Sequence, residues 1–172
     1  MRYQERYACS VNSSNLTVDE RTTWADSDVI GAAGMAAHHF PLGVALMRLF
    51  DGSGSAQEVI ESMADEAMRK RNAMRIKISR VEVEDLCRAA LAWHRAGTCP
   101  ECGGTRKQLI PGTPHLSEID CVPCNGSGRM LYRNIIAESR IPLFEWLIAA
   151  IKREQVNAGC QAMRNLAPRL DL

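Results

Sequence analysis

Two cysteine pairs constrain this chain more than any other feature of it. The first reads Cys99-Pro100-Glu101-Cys102, the second Cys121-Val122-Pro123-Cys124, and 18 residues separate them. Two residues between cysteines put both thiolates on one tight turn, from which they reach a single metal ion. Gly103 and Gly126 follow the pairs closely, and positive φ at these positions turns backbone amides toward the sulfurs. Four cysteines fill a tetrahedron and leave no open position. The expected site is therefore structural, one zinc ion (Zn2+) held by Cys99, Cys102, Cys121 and Cys124. Ligation by four cysteines does not exclude iron, and an iron–sulfur cluster stays open as an alternative. His115, between the pairs, is a donor that four cysteines do not need.

Seven cysteines in all would suit a disulfide scaffold in a secreted chain. Here the number is odd, and the first residues, MRYQERYACSVNSS, lack the apolar core of an export signal. A reducing compartment is expected, the cytoplasm, and there paired cysteines read as metal ligands. No apolar run approaches the roughly 18 residues of a membrane span. Cys87 lies in an apolar helical pattern and fits a small buried residue.

Around the cysteine segment the chain reads as helical. Aromatic residues are only 5% of it, against 46% apolar overall, and Ala, Leu, Ile and Met dominate. Residues 1–26 are rich in Ser, Thr and Asn without periodicity and read as a flexible arm. Residues 27–97 form the expected helical body. It starts with a small-residue helix in which Gly31 and Gly34 invite close approach of a neighbouring backbone. Pro41 suits the first turn of the next helix. Ser55 with Glu58, and Ser79 with Glu82, have capping-box spacing and open two further helices. Gly97 is a natural stop. Residues 98–128 are the zinc-binding module, a small β-hairpin with its knuckles. Residues 129–172 complete the body with a short helix near 130–138, a break at Ser139–Pro142 and a longer helix from about 143 to 164. The fold class is thus mainly α, with an inserted four-cysteine module and a C-terminal pair resembling a helix-turn-helix.

A net charge of +1 conceals strong asymmetry. Residues 1–68 carry 4 basic and 10 acidic side chains, whereas residues 69–98 carry 8 basic and 3 acidic. Arg69, Lys70, Arg71, Arg75, Lys77 and Arg80 fall within 12 positions. They are candidate phosphate contacts; the plainer alternative is a helix end favoured by its dipole, followed by a solvated linker. Arg129, Arg133 and Arg140 lie where the first helix and turn of a DNA-docked helix-turn-helix would meet phosphates. The same pattern fits a packed helical hairpin. Enzymatic chemistry finds no support. His38 and His39 have no nearby carboxylate or cysteine pattern, and neither a phosphate-cradling glycine loop nor a nucleophile motif occurs.

The order of motifs resembles the antitermination protein Q family of phage lambda and its relatives. The residues that carry this are Asp28-Val29 through Gly34-Met35-Ala36, the Cys99–Gly103 pair, the long gap, Cys121 through Gly126 and Gly128, and then Tyr132-Arg133. The resemblance runs from about Asp28 to the C-terminus. It implies a DNA-binding regulator of late phage genes, which binds double-stranded DNA at a late promoter and loads onto RNA polymerase paused there with sigma factor. The modified polymerase then passes terminators. By the same resemblance the helical body and the helix-turn-helix would contact DNA while the zinc module braces the protein, which favours the basic residues above as phosphate contacts. The knuckles alone are shared with the cysteine-rich region of DnaJ chaperones, so a chaperone-like module or a protein-binding adaptor is the alternative. No His-Pro-Asp signature of a J-domain is present.

Overall fold

The computed structural model describes residues 26–167. The segment expected as an arm lies outside them, apart from Asp26, which opens the first helix. Helices α1 (Asp26–His39), α2 (Pro41–Asp51), α3 (Ala56–Ala73) and α4 (Arg80–Ala96) precede the cysteine segment, and α5 (Ile141–Leu166) follows it. Between α4 and α5 lies an antiparallel hairpin of β1 (Lys107–Leu109) and β2 (Leu116–Asp120), pairing Lys107 with Asp120 and Leu109 with Leu116 across an irregular register. Three 3-10 turns complete the connection, at Val122–Cys124, Tyr132–Asn134 and Glu138–Arg140. The protein is mainly helical, as expected. Among the described residues no helix is long and apolar enough to cross a membrane.

The chain divides into two compact units. One joins the described residues up to Met68 to the described residues from Ala149; the other is Arg69–Ile148. In the first, α1 buries Val29, Ala32, Ala33 and Ala36, the i, i+3, i+4, i+7 stripe of an amphipathic helix. They cluster with Val44 and Met47 of α2 and with Ala158, Ala162 and Leu166 of α5. The Asn165 amide donates to the Ala32 carbonyl at 3.3 Å. Gly31 and Gly34 do not serve as the close-approach positions expected of them. They fall on the exposed side of α1, and nothing lies within 4 Å of where their β-carbons would be. Gly43 of α2 has that role instead. A β-carbon there would overlap the Glu154 carbonyl and lie 2.7 Å from the Ala158 β-carbon.

In the second unit α4 starts at a complete capping box. Ser79 accepts from the Glu82 amide, and the Glu82 carboxylate accepts the Ser79 amide at 2.9 Å. Val83, Leu86, Cys87, Ala90, Leu91 and Trp93 form its buried face. Cys87 is fully enclosed, and burial pushes its thiol up to about 12, the behaviour of a structural cysteine. The first turns of α5 bury Leu143, Phe144, Leu147 and Ile148. Tyr132 inserts its ring beside Trp93 (5.7 Å between centroids) and Phe144 (5.3 Å).

The short helix expected near 130–138 is not α-helical. Its residues form two separate 3-10 turns, because the segment starts in extended pairing, with Thr98 bridged to Arg129 and the Met130 amide donating to the Gly97 carbonyl at 2.8 Å. The expected helix-turn-helix therefore lacks its first α-helix. Its second member, α5, opens with Leu143 and Phe144 wholly buried, so those side chains are core.

Candidate metal centre and basic surface

The four cysteines meet as the spacing predicts. Cys99, Cys102, Cys121 and Cys124 are all buried, and their sulfurs lie within 4.8 Å of one another. Cys99 Sγ is 3.9 Å from Cys121 Sγ, and Cys102 Sγ is 3.7 Å from Cys124 Sγ. A tetrahedral ion with metal–sulfur bonds of about 2.3 Å has sulfur–sulfur edges of about 3.8 Å. The donor set thus fits one ion, whereas a multi-iron cluster distributes its cysteines over several metals. His115 is exposed and outside the cluster.

The backbone explains how so short a segment presents four sulfurs. Gly103 and Gly126 both have positive φ, 55° and 69°, as expected of knuckle glycines. The Thr105 amide donates to the Cys102 carbonyl at 2.9 Å, and the Gly126 amide to that of Cys121 at 3.2 Å, closing each knuckle. The knuckles are tied together where the Cys121 amide donates to the Arg106 carbonyl at 2.8 Å. Burial opposes ionisation of Cys102, yet backbone amides of Arg106 and Gly104, joined by the Cys124 and Cys99 thiols, bring it down to about 7, whereas burial and the neighbouring thiols push Cys121 up to about 12. Amides that favour a thiolate also favour a metal ligand. Beyond the cysteines, the segment has almost no core of its own. Leu109, Ile110, Leu116, Ile119 and Val122 are all exposed.

The root of the module is fastened to α4 by contacts with no local sequence signature. The Cys99 amide donates to the Gly128 carbonyl at 3.0 Å. Trp93 Nε1 donates to the Met130 carbonyl at 2.8 Å. The Arg129 guanidinium sits 4.0 Å over the Trp93 ring and donates to the Trp93 carbonyl at 3.0 Å, satisfying a carbonyl that the end of α4 leaves open. Gly97 does stop α4, though at φ −76° and not in the left-handed region. Its hydrogen is required because a β-carbon would overlap the Trp93 carbonyl and approach the Arg129 guanidinium at 2.9 Å.

The expected phosphate-contacting residues separate into two groups. Arg129, Arg140 and Arg133 are engaged within the unit: Arg129 as just described, Arg140 with Glu82, and Arg133 with Glu145 at 3.8 Å. Glu145 also accepts the Tyr132 hydroxyl at 2.6 Å. Arg69, Lys70, Arg71, Arg75 and Lys77 line the end of α3 and the turn after it. Arg71 faces inward and donates to the Ile78 carbonyl, while Arg69, Arg75 and Lys77 are exposed. Helix α3 ends in a Schellman motif, with the Ile76 amide on the Arg71 carbonyl (3.0 Å) and the Arg75 amide on that of Asn72 (3.2 Å). Arg75 occupies its left-handed position, φ 55°, where an L-residue costs about 1 kcal/mol or more relative to glycine.

Comparison with protein-family models and with curated proteins yields no match.

Proposed function

We propose that this chain is a zinc-braced regulator of transcription that binds double-stranded DNA at a late promoter and acts on RNA polymerase, the activity implied by its resemblance to lambda-type antitermination protein Q. The observation that carries this reading is the closed cysteine cluster. Four buried sulfurs spaced for one ion make a brace without an open position, so the working surfaces are those the brace orders. The unit that contains it has 13 basic against 8 acidic side chains, whereas the described part of the other has 4 against 8. A cationic surface attracts duplex DNA through its phosphates. The metal in this reading is zinc, since cysteine donors in a tetrahedron suit it. One zinc and no iron per purified chain is the expected composition, and stoichiometric iron would overturn that assignment.

The resemblance further implies polymerase paused with sigma factor as the partner and the cytoplasm of a bacterial host as the place of action. Terminator readthrough is the direct test. Transcription from a late promoter carrying a promoter-proximal pause, with and without the protein, should show increased product beyond a downstream terminator. Unchanged readthrough on templates from the source genome would refute antitermination.

A second reading, a protein-binding adaptor or DnaJ-like chaperone module, draws on the five exposed aliphatic side chains of the hairpin segment, Leu109, Ile110, Leu116, Ile119 and Val122. A gel shift with duplex DNA separates the two: the regulator retards it, the adaptor does not.

A further inference from the structure

The turn between α3 and α4 combines three features that a solvated linker does not need. Both of its ends are fixed. Arg71 is drawn inward to the Ile78 carbonyl, and Ile78 itself is buried, so the segment cannot swing as a loose strap. On the far side the Ser79–Glu82 capping box continues into an ion pair with Arg140. The cations alternate with apolar residues: Arg75 and Lys77 are exposed, whereas Ile76 is partly covered and Ile78 is enclosed. And an arginine takes the left-handed position that glycine would occupy with less strain. Strain kept at an exposed site points to a use for the side chain.

The contrast with the other arginines sharpens this. Arg129 and Arg140 use their guanidinium groups within the unit, whereas Arg75 and Lys77 make no side-chain hydrogen bond or ion pair with the described residues. Helix α3 adds Arg69 on its exposed surface. A turn whose backbone is already fixed has less conformational freedom to lose when its unpaired cations meet an anion.

We propose that the Ala73–Ser79 turn is a preformed phosphate-binding edge, in which Arg75 and Lys77, continued by Arg69 along α3, contact the sugar–phosphate backbone of duplex DNA. The proposal rests on the reading of the chain as a DNA-binding protein and assigns the surface responsible. Contacts of this kind position the duplex without reading its bases.

The test uses the full-length chain and a fluorescein-labelled duplex of arbitrary sequence, with affinity followed by anisotropy across a salt series. Arg75→Gly retains the left-handed turn, and Lys77→Gln removes an exposed charge, so the double variant should melt no lower than the parent protein. Its plot of log affinity against log salt should flatten by about 0.9 unit per lost contact, roughly 1.8 in all. Lys152→Gln, which removes an exposed cation from α5 outside this unit, should leave the slope unchanged. If the parent protein binds duplex DNA and the double variant keeps its slope and affinity, the edge is elsewhere and only this assignment falls. If the parent protein binds no duplex DNA at low salt, the DNA-binding reading falls and takes the edge with it.

Discussion

The cysteine segment and the connector that follows it are neighbours in one unit, yet they are held by opposite means. Residues 99–128 have little buried apart from four cysteines, and their shape follows from ligand spacing and glycine turns. Residues 129–140 contain no long element. They are fixed by side chains that reach distant partners: Trp93 to Met130, Arg129 back to the end of α4, and Arg140 to Glu82. One region is built around four clustered cysteines whose spacing suits a metal ion, the other is held from without by packing. The difference shows what a metal site can replace in a small protein, namely a hydrophobic core.

The largest effect that can break this contrast is Cys121→Ser. In zinc-finger peptides metal binding supplies roughly 10–16 kcal/mol of folding free energy, and a segment without another core should lose its structure with its metal. Metal content should fall to near zero, and amide hydrogen exchange in residues 99–128 should become fast. Retention of both would mean the segment is not metal-organised. Trp93→Ala should come next, at about 3–5 kcal/mol by denaturant unfolding, since it removes a buried ring and an indole hydrogen bond. The metal should stay bound, which separates the two regions experimentally. Arg129→Ala should cost about 1–2 kcal/mol in the same measurement, through a carbonyl left unsatisfied and a lost cation–π contact.

Glu82 provides a smaller, pH-dependent probe of the connector. Hydrogen bonds from the Ser79 amide and hydroxyl, with the Arg140 charge, hold its carboxyl below the ordinary value of 4.5. A carboxyl depressed on folding contributes stability above its unfolded pKa and loses it as pH falls through its folded value. Glu82→Gln should thus lower the melting temperature at neutral pH, with the difference from the parent protein shrinking below pH 4. Arg133→Ala should be the mildest change. Its side chain is 70% exposed and 3.8 Å from Glu145, so the loss should be within about 0.5 kcal/mol. A larger loss would place Arg133 among the packing residues of the connector.

The same contrast explains what could be read from the chain before its structure. The cluster of Cys99, Cys102, Cys121 and Cys124 followed from spacing alone, as did the capping box at Ser79 and the burial of Cys87, because their determinants lie within a few residues. The segment after Arg129 did not. Leu131, Ile135 and Ile136 have helical spacing, but the pairing of Thr98 with Arg129 and the insertion of the Tyr132 ring between Trp93 and Phe144 override that local preference. Arg129 and Arg140 looked like free cations for a related reason, since their partners lie 36 and 58 positions away in the chain. Gly31 and Gly34 misled because glycine marks permissiveness and not contact; the approach it permits occurs at Gly43.

That approach has a consequence for how the protein is made. Gly43 meets Glu154 and Ala158, and Ala32 meets Asn165, so this unit needs the two ends of the described chain at once. Every contact of the cysteine-bearing unit described above lies between residues 69 and 148, a continuous stretch. During synthesis that stretch can close while later residues are still being added. The earlier helices must wait with Val29, Val44 and Met47 uncovered until α5 is finished. Helices α1 and α2 are made before α5 and are covered by it last, and that interval is when they are most exposed to misassembly.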